Sequence, residues 1–82
     1  TLVLLTAAPG LLRHFPDETS LISRLSRQQM PEALALAEAG MKKKVLGASE
    51  ALEAGVDRVI IADGRVPHPI ASALDGRGTT FA

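Results

Sequence analysis

Apolar positions along this chain follow two different periods. Leu2-Val3-Leu4-Leu5 is a continuous apolar run with the turn Ala8-Pro9-Gly10 soon after it, and Val59-Ile60-Ile61 is a second run, closed by Asp63-Gly64. Short unbroken runs bounded by turn residues predict strands buried on both faces, as in a parallel sheet. Between them the period lengthens. Met30, Ala33, Leu34 and Ala37 predict a helix that starts on Pro31 and runs through Ala39, with Gly40 just past its C-terminus. Met41, Val45, Ala48 and Leu52 mark one face of a second helix, from Met41 to Ala54, with Gly55 past its end. Leu21, Ser23 and Leu25 alternate with polar neighbours like a short half-exposed strand, whereas Leu11 to Asp17 shows no period and Phe15-Pro16-Asp17 reads as a turn. Pro69 to Leu74 predicts one or two helical turns, and Thr79-Thr80-Phe81 a last short strand. Buried strands alternating with helices predict an α/β layer architecture with a largely parallel sheet.

Composition narrows the function classes. The 82 residues suffice for one small domain with a modest core. Nine basic and nine acidic side chains give a formal net charge of zero, which argues against a dedicated nucleic-acid binder. With no Tyr, no Trp and two Phe, the chain has no stacking platform for single-stranded bases. The lack of cysteine removes thiolate zinc sites and disulfides and fits a reducing, cytoplasmic setting. The opening apolar run is broken by Pro9-Gly10 and falls short of the roughly 20 residues a membrane helix needs, so no membrane role is expected. Starting inside an apolar run and without Met, the chain reads as a piece of something larger.

Most candidate chemistry is ordinary. Neither His14 nor His68 shares a metal-ligand spacing with a third group, so no metal site is expected. No serine sits in a nucleophile elbow. Asp63-Gly64-Arg65 follows a predicted strand, where α/β folds bind ligands, but Asp-Gly is also a common turn. The turn at Thr6-Ala7-Ala8-Pro9-Gly10 could present backbone groups to a nucleotide. The unusual stretch is Gly40-Met41-Lys42-Lys43-Lys44-Val45. A helix start carries roughly half a positive elementary charge, so three ammonium groups in the first predicted turn conflict with it. A bound anion, most simply a phosphate, would resolve that conflict; a plain solvated charge run is the competing reading. At about 100° per residue, Lys43 lies opposite the apolar stripe. Lys42 and Lys44 flank the stripe, and the wheel does not choose between them.

Taken in order, Thr6-Ala7-Ala8-Pro9-Gly10-Leu11-Leu12, Gly40-Met41-Lys42-Lys43-Lys44-Val45, Asp63-Gly64-Arg65-Val66 and Gly78-Thr79 resemble the C-terminal nucleotide-binding part of the amino acid kinase family. The likeness is to its acetylglutamate kinase type. Within that type it is greatest to kinases acting on 2-aminoadipate or glutamate held on an amino-group carrier protein. It covers essentially the whole chain. The resemblance implies a three-layer α/β/α sandwich with a mainly parallel sheet. It also implies phosphorylation of a side-chain carboxylate by ATP with Mg2+, giving an acyl phosphate in lysine or arginine biosynthesis. By the same resemblance Lys44 is catalytic, stabilising the transferring phosphoryl group, while Thr6, Gly10 and Met41 bind the nucleotide. Ala7 departs from the Asp or Asn common there, so only a backbone role carries over. The family's glycine-rich phosphate loop and substrate half lie upstream, which makes residues 1–82 a fragment expected to be inactive alone. Implied partners are the carrier protein, the missing N-terminal part and further copies in a homo-oligomer. The alternatives are an acetylglutamate kinase proper, and a non-catalytic regulatory or structural α/β module.

Overall fold

The computed structural model describes residues 1–82, the side chain of Ala39 excepted. Four strands form one sheet: β1 (Leu2–Thr6), β2 (Arg24–Leu25), β3 (Val59–Asp63) and β4 (Thr79–Phe81), in the order β1-β3-β4-β2. β1 runs parallel to β3 with Leu2 opposite Val59 and Thr6 opposite Asp63, and β2 runs parallel to β4. β4 lies antiparallel to β3, with the short helix α3 (Pro69–Leu74) between them in sequence. The sheet is mainly parallel, as the alternation of strands and helices predicts.

Helices cover both faces. Residues of β3 alternate between them, as the two-residue period of a strand requires. Val59 and Ile61, with Phe81 of β4 and Leu2 and Leu4 of β1, pack against α1 (Met30–Leu36) and α2 (Ala39–Glu53). Ile60, Ala62 and Val3 pack against Ala73 of α3 on the opposite face. Fully burying a side chain the size of Val45 or Ile61, both 0 % exposed, contributes about 1.5–3 kcal/mol. β3 is therefore the strand buried on both faces. β1 matches that reading in sequence but not in place: it is an edge strand, only half-buried, with Leu5 38 % exposed. Among the described residues nothing pairs with its outer edge.

The two long helices begin and end differently from the sequence expectation. α1 stops at Leu36, where Ala37 turns extended (ψ 129°) and is buried in the core. Glu38 is extended too and occupies the N-cap position of α2 without a side-chain cap bond, so α2 starts two residues before Met41. Gly40 is accordingly not a helix terminator. It sits in the first turn of α2, and the lysines move back into the second turn, where the helix dipole is weaker. The electrostatic conflict read from the sequence is thus milder in the structure. The C-terminus of α2 is as predicted: Gly55 (φ +105°) donates to the Leu52 carbonyl at 3.2 Å and Val56 to that of Ala51 at 3.0 Å. This pair of bonds is the glycine-dependent Schellman closure.

Two single helical turns that the sequence pattern did not signal, Glu18–Ser20 and Arg27–Gln29, lie on either side of β2. Asp17 caps the first, accepting from the Thr19 amide at 3.0 Å and hydroxyl at 2.6 Å. Those bonds, the hydroxyl one foremost, hold the Asp17 carboxyl below its ordinary pKa. No helix among the described residues is long and apolar enough to cross a membrane.

Candidate functional site

The parallel pair β1 and β3 ends at Thr6 and Asp63, and the chain leaves both strands on the same edge of the sheet. The Gly64 amide donates to the Thr6 carbonyl at 2.8 Å, which holds the two departing loops together. Ligands of open α/β sheets bind beyond such strand C-termini. Here the start of α2 closes the space from one side. The result is a cleft of about 360 Å³ between the turn after β1 and the first two turns of α2.

Thr6, Gly10, Met41 and Lys44 all line this cleft. Residues up to 38 positions apart in sequence are thus brought to one place. Leu12, Phe15, Leu36, Glu38 and Gly40 complete most of the lining. A shallower depression continues from Thr6, Ala7 and Lys44 to Gly64 and Arg65. A separate cavity of about 300 Å³ lies by α3, among Ala62, Val66, Ser72 and Gly76, and holds none of the four.

The structure separates lysines that the helical wheel left equivalent. Lys42 and Lys43 are exposed, while Lys44 is half-buried beside the fully buried Val45 and Ala48 and lines the cleft. A lysine so placed can pack its stem on apolar surface and keep its ammonium at the opening. Among the described residues no carboxylate lies within ion-pair reach of Lys44. Arg65 is the opposite case. Its Nε and Nη2 each donate to an Asp63 carboxylate oxygen at 2.9 Å, and Nη2 also lies 3.6 Å from Glu18. The Arg65 side chain, and then its amide, hold Asp63 below its ordinary pKa, while the guanidinium is pushed further up. Asp63-Gly64-Arg65 is a tied turn with its charge satisfied.

The two glycines of the cleft differ in what requires them. A Cβ on Gly10 would lie 2.7 Å from Thr79 Oγ1 and 2.9 Å from Leu21 Cδ1, so packing alone demands glycine. A Cβ on Gly40 would meet nothing within 4 Å. Neither packing nor a left-handed φ calls for glycine there, and the space above its backbone is open. Glu38 makes no side-chain cap, and its carbonyl accepts from Met41 at 2.8 Å and Lys42 at 3.2 Å. The Gly40 amide, in the first turn, is one of the donors an α-helix leaves without an internal partner. Open backbone, a free helix start and an unpaired ammonium together suit a phosphate-bearing ligand. The apolar side chains of Leu12, Leu36 and Met41 suit the flat base of a nucleotide. The described residues hold no group of three His, Cys, Asp or Glu able to bind a metal ion.

Sequence reasoning took Gly40 for the end of α1, because Ala37 continues the helical stripe; the break instead falls at Ala37 and Glu38, both extended, which puts Gly40 in the first turn of α2. Phe15 does lie in a turn, as read from the sequence, and it also lines the cleft, which no local pattern signalled.

The sequence profile of the amino acid kinase family matches residues 1–63. The chain is 52% identical over 80 residues to LysW-aminoadipate kinase of Thermus thermophilus, covering 95% of this chain and 30% of that protein. Against acetylglutamate kinase of Arthrobacter sp. it is 43% identical over 67 residues, 82% of this chain and 22% of that protein. Its fold superposes on N-acetylglutamate synthase from Neisseria gonorrhoeae, solved with coenzyme A and N-acetylglutamate, with a TM-score of 0.82 and 33% identity. That match covers 99% of this chain and 19% of the other. The chain spans 21–30% of the length of the curated relatives it matches.

Proposed function

The chain belongs to the amino acid kinase family, and from that premise we propose that residues 1–82 are the C-terminal nucleotide-binding portion of a kinase that phosphorylates a side-chain carboxylate. The acceptor in this reading is 2-aminoadipate, or glutamate, carried on an amino-group carrier protein. The observation that carries it is the meeting of Thr6, Gly10, Met41 and Lys44 in one cleft. A carboxylate oxygen of the acceptor attacks the γ-phosphorus of ATP, the new O–P bond forms, the bond to the ADP oxygen breaks, and an acyl phosphate and ADP leave.

The residues present fit ATP. Gly40 offers open backbone for a phosphate, Lys44 an uncompensated charge, Met41 and Leu36 an apolar bed for the base. Phosphoryl transfer is mostly positioning and electrostatic stabilisation, so one well-placed ammonium is a large part of the chemistry. Lys44 takes that part. Thr6 and Gly10 shape the turn beside the nucleotide, Gly10 through its packing on Thr79. Mg2+ arrives with ATP, and the described residues supply no ligand set for it. The phosphate loop and the acceptor site belong to the rest of the protein, and the cytosol is its setting.

The choice of acceptor rests on the higher identity to the LysW-aminoadipate kinases than to the acetylglutamate kinases. The name of the first relatives supports a carrier protein as partner. Acetylglutamate kinase is the second reading, favoured by its repeated occurrence among the relatives. Steady-state kinetics of the full-length protein separates the two. Carrier-bound 2-aminoadipate should turn over far better than free N-acetylglutamate; equal turnover of the two defeats the carrier-linked reading.

A further inference from the structure

The chain has two phenylalanines, and they sit in opposite settings. Phe81 is 0 % exposed in the core, whereas Phe15 is 61 % exposed at the rim of the cleft that Met41 and Lys44 line. An exposed ring on a slack loop would carry no message. The loop that holds Phe15 is tightly built. The Arg13 amide donates to the Ser20 carbonyl at 2.9 Å and the His14 amide to Ser20 Oγ at 3.0 Å. The Asp17 amide donates to the His14 carbonyl at 2.8 Å, and the Ser20 hydroxyl donates to the Asp17 carbonyl at 2.6 Å. The loop is also tied outward on two sides, by Arg13 to Glu32 of α1 at 3.7 Å and by Glu18 to Arg65 after β3 at 3.6 Å. Its ends close through Leu12 and Leu21, which pair as an isolated bridge. The backbone thus fixes where the ring stands while leaving its surface open to the cleft.

We infer that Phe15 supplies an aromatic wall for the purine base of the nucleotide, with the polarisable Met41 side chain as a second apolar surface of the same cleft. The inference rests on the kinase reading and adds to it a residue that determines how the base, rather than the phosphates, is held. Base-on-aromatic stacking needs only a presented π-face and is sequence-tolerant. Thioether sulfur and aromatic surfaces suit the same flat ligand. Lys44 and the start of α2 act at the phosphate end and Phe15 at the base end, so the two contributions are separable by probe.

The test is calorimetric titration of the full-length protein, in Mg2+, with ATP and with inorganic tripolyphosphate. Phe15→Ala is expected to weaken ATP binding about tenfold, the lower part of the range for loss of one base stack, while tripolyphosphate binding stays as in the parent. Phe15→Trp is expected to restore ATP binding. Because Phe15 is mostly solvent-facing, its truncation leaves the fold intact, and Phe15→Trp gives a second check. Unchanged ATP binding in Phe15→Ala overturns the inference. So does equal weakening of both probes, which marks a structural effect, or a Phe15→Trp protein no better than Phe15→Ala. A parent protein that binds tripolyphosphate but not ATP overturns the base wall alone, and one that binds neither overturns the kinase reading with it.

Discussion

The Thr79 hydroxyl accepts a 2.9 Å hydrogen bond from the Leu11 amide, across 68 positions of sequence. The same hydroxyl donates to the Ile22 carbonyl at 2.6 Å, and Thr79 is 0 % exposed. One side chain at the start of β4 therefore ties down the turn that forms one wall of the cleft. Thr79→Val keeps the shape but leaves a buried amide and a buried carbonyl unpaired. Each such group costs about 1–3 kcal/mol. Thr79→Val should lower the stability of the full-length protein by that order in denaturant titrations, and Thr79→Ser should recover most of it. Gly10→Ala, whose methyl meets Thr79 Oγ1, should cost about 1–3 kcal/mol by overpacking.

Gly40 and Gly47 form a matched pair. Both lie in α2, and a Cβ at either meets nothing within 4 Å. Gly47→Ala in mid-helix should stabilise the protein by about 0.5–1 kcal/mol and leave kinetics alone. Gly40→Ala should also fold normally, yet raise the KM for ATP several-fold, because its methyl enters the cleft. Thermal melts together with ATP kinetics read both. Equal kinetics for the two variants would show that Gly40 does not approach a ligand.

Much of this arrangement was legible in the sequence. The strands at Leu2 and Val59 announced themselves as unbroken apolar runs, and the Met41, Val45, Ala48, Leu52 stripe gave the buried face of α2. What was not legible depends on tertiary context. The break falls at Ala37 and Glu38, neither of them a helix-breaking residue, so the sequence pattern placed it at Gly40. The half-exposure of β1 is a matter of sheet order, which its own residues do not encode. The helical wheel left Lys42 and Lys44 equivalent and only the resemblance named Lys44; that the cleft includes Lys44 and not Lys42 depends on how α2 packs. The tie from Thr79 to Leu11 joins the two ends of the chain, and no local pattern signals it.

The free edge of β1 makes a prediction about residues 1–82 on their own. Leu2 to Leu5 is an apolar edge without the lysine, proline or bulge that guards exposed edges. The isolated 82-residue polypeptide should self-associate as its concentration rises, seen by sedimentation velocity. A monodisperse monomer throughout would mean that β1 needs no neighbour.

Acid should loosen the turn after β3. Hydrogen bonds from Arg65 depress the Asp63 pKa below its unfolded value of about 3.9. A carboxyl with a depressed folded pKa adds stability that is present above the unfolded pKa. That stability is lost as pH falls through the folded value. Melting temperature should therefore drop more steeply below about pH 4 in the parent than in Asp63→Asn, which lacks the charge at every pH. Parallel acid limbs for the two proteins would show that the Asp63–Arg65 pair contributes nothing.

Lys44 bears the central claim. It is the one lysine of three that the cleft includes, and it has no carboxylate partner among the described residues. Losing one preorganised charge of this kind costs on the order of 10²–10³ in turnover. The decisive measurement is steady-state kinetics of full-length Lys44→Ala and Lys43→Ala, with nucleotide titration alongside. Lys44→Ala should lose turnover by about that factor, fold normally and bind ATP only modestly more weakly, while Lys43→Ala stays within a few-fold of the parent. Normal turnover in Lys44→Ala, or damage confined to Lys43→Ala, would contradict the assignment of this cleft as the phosphoryl-transfer site.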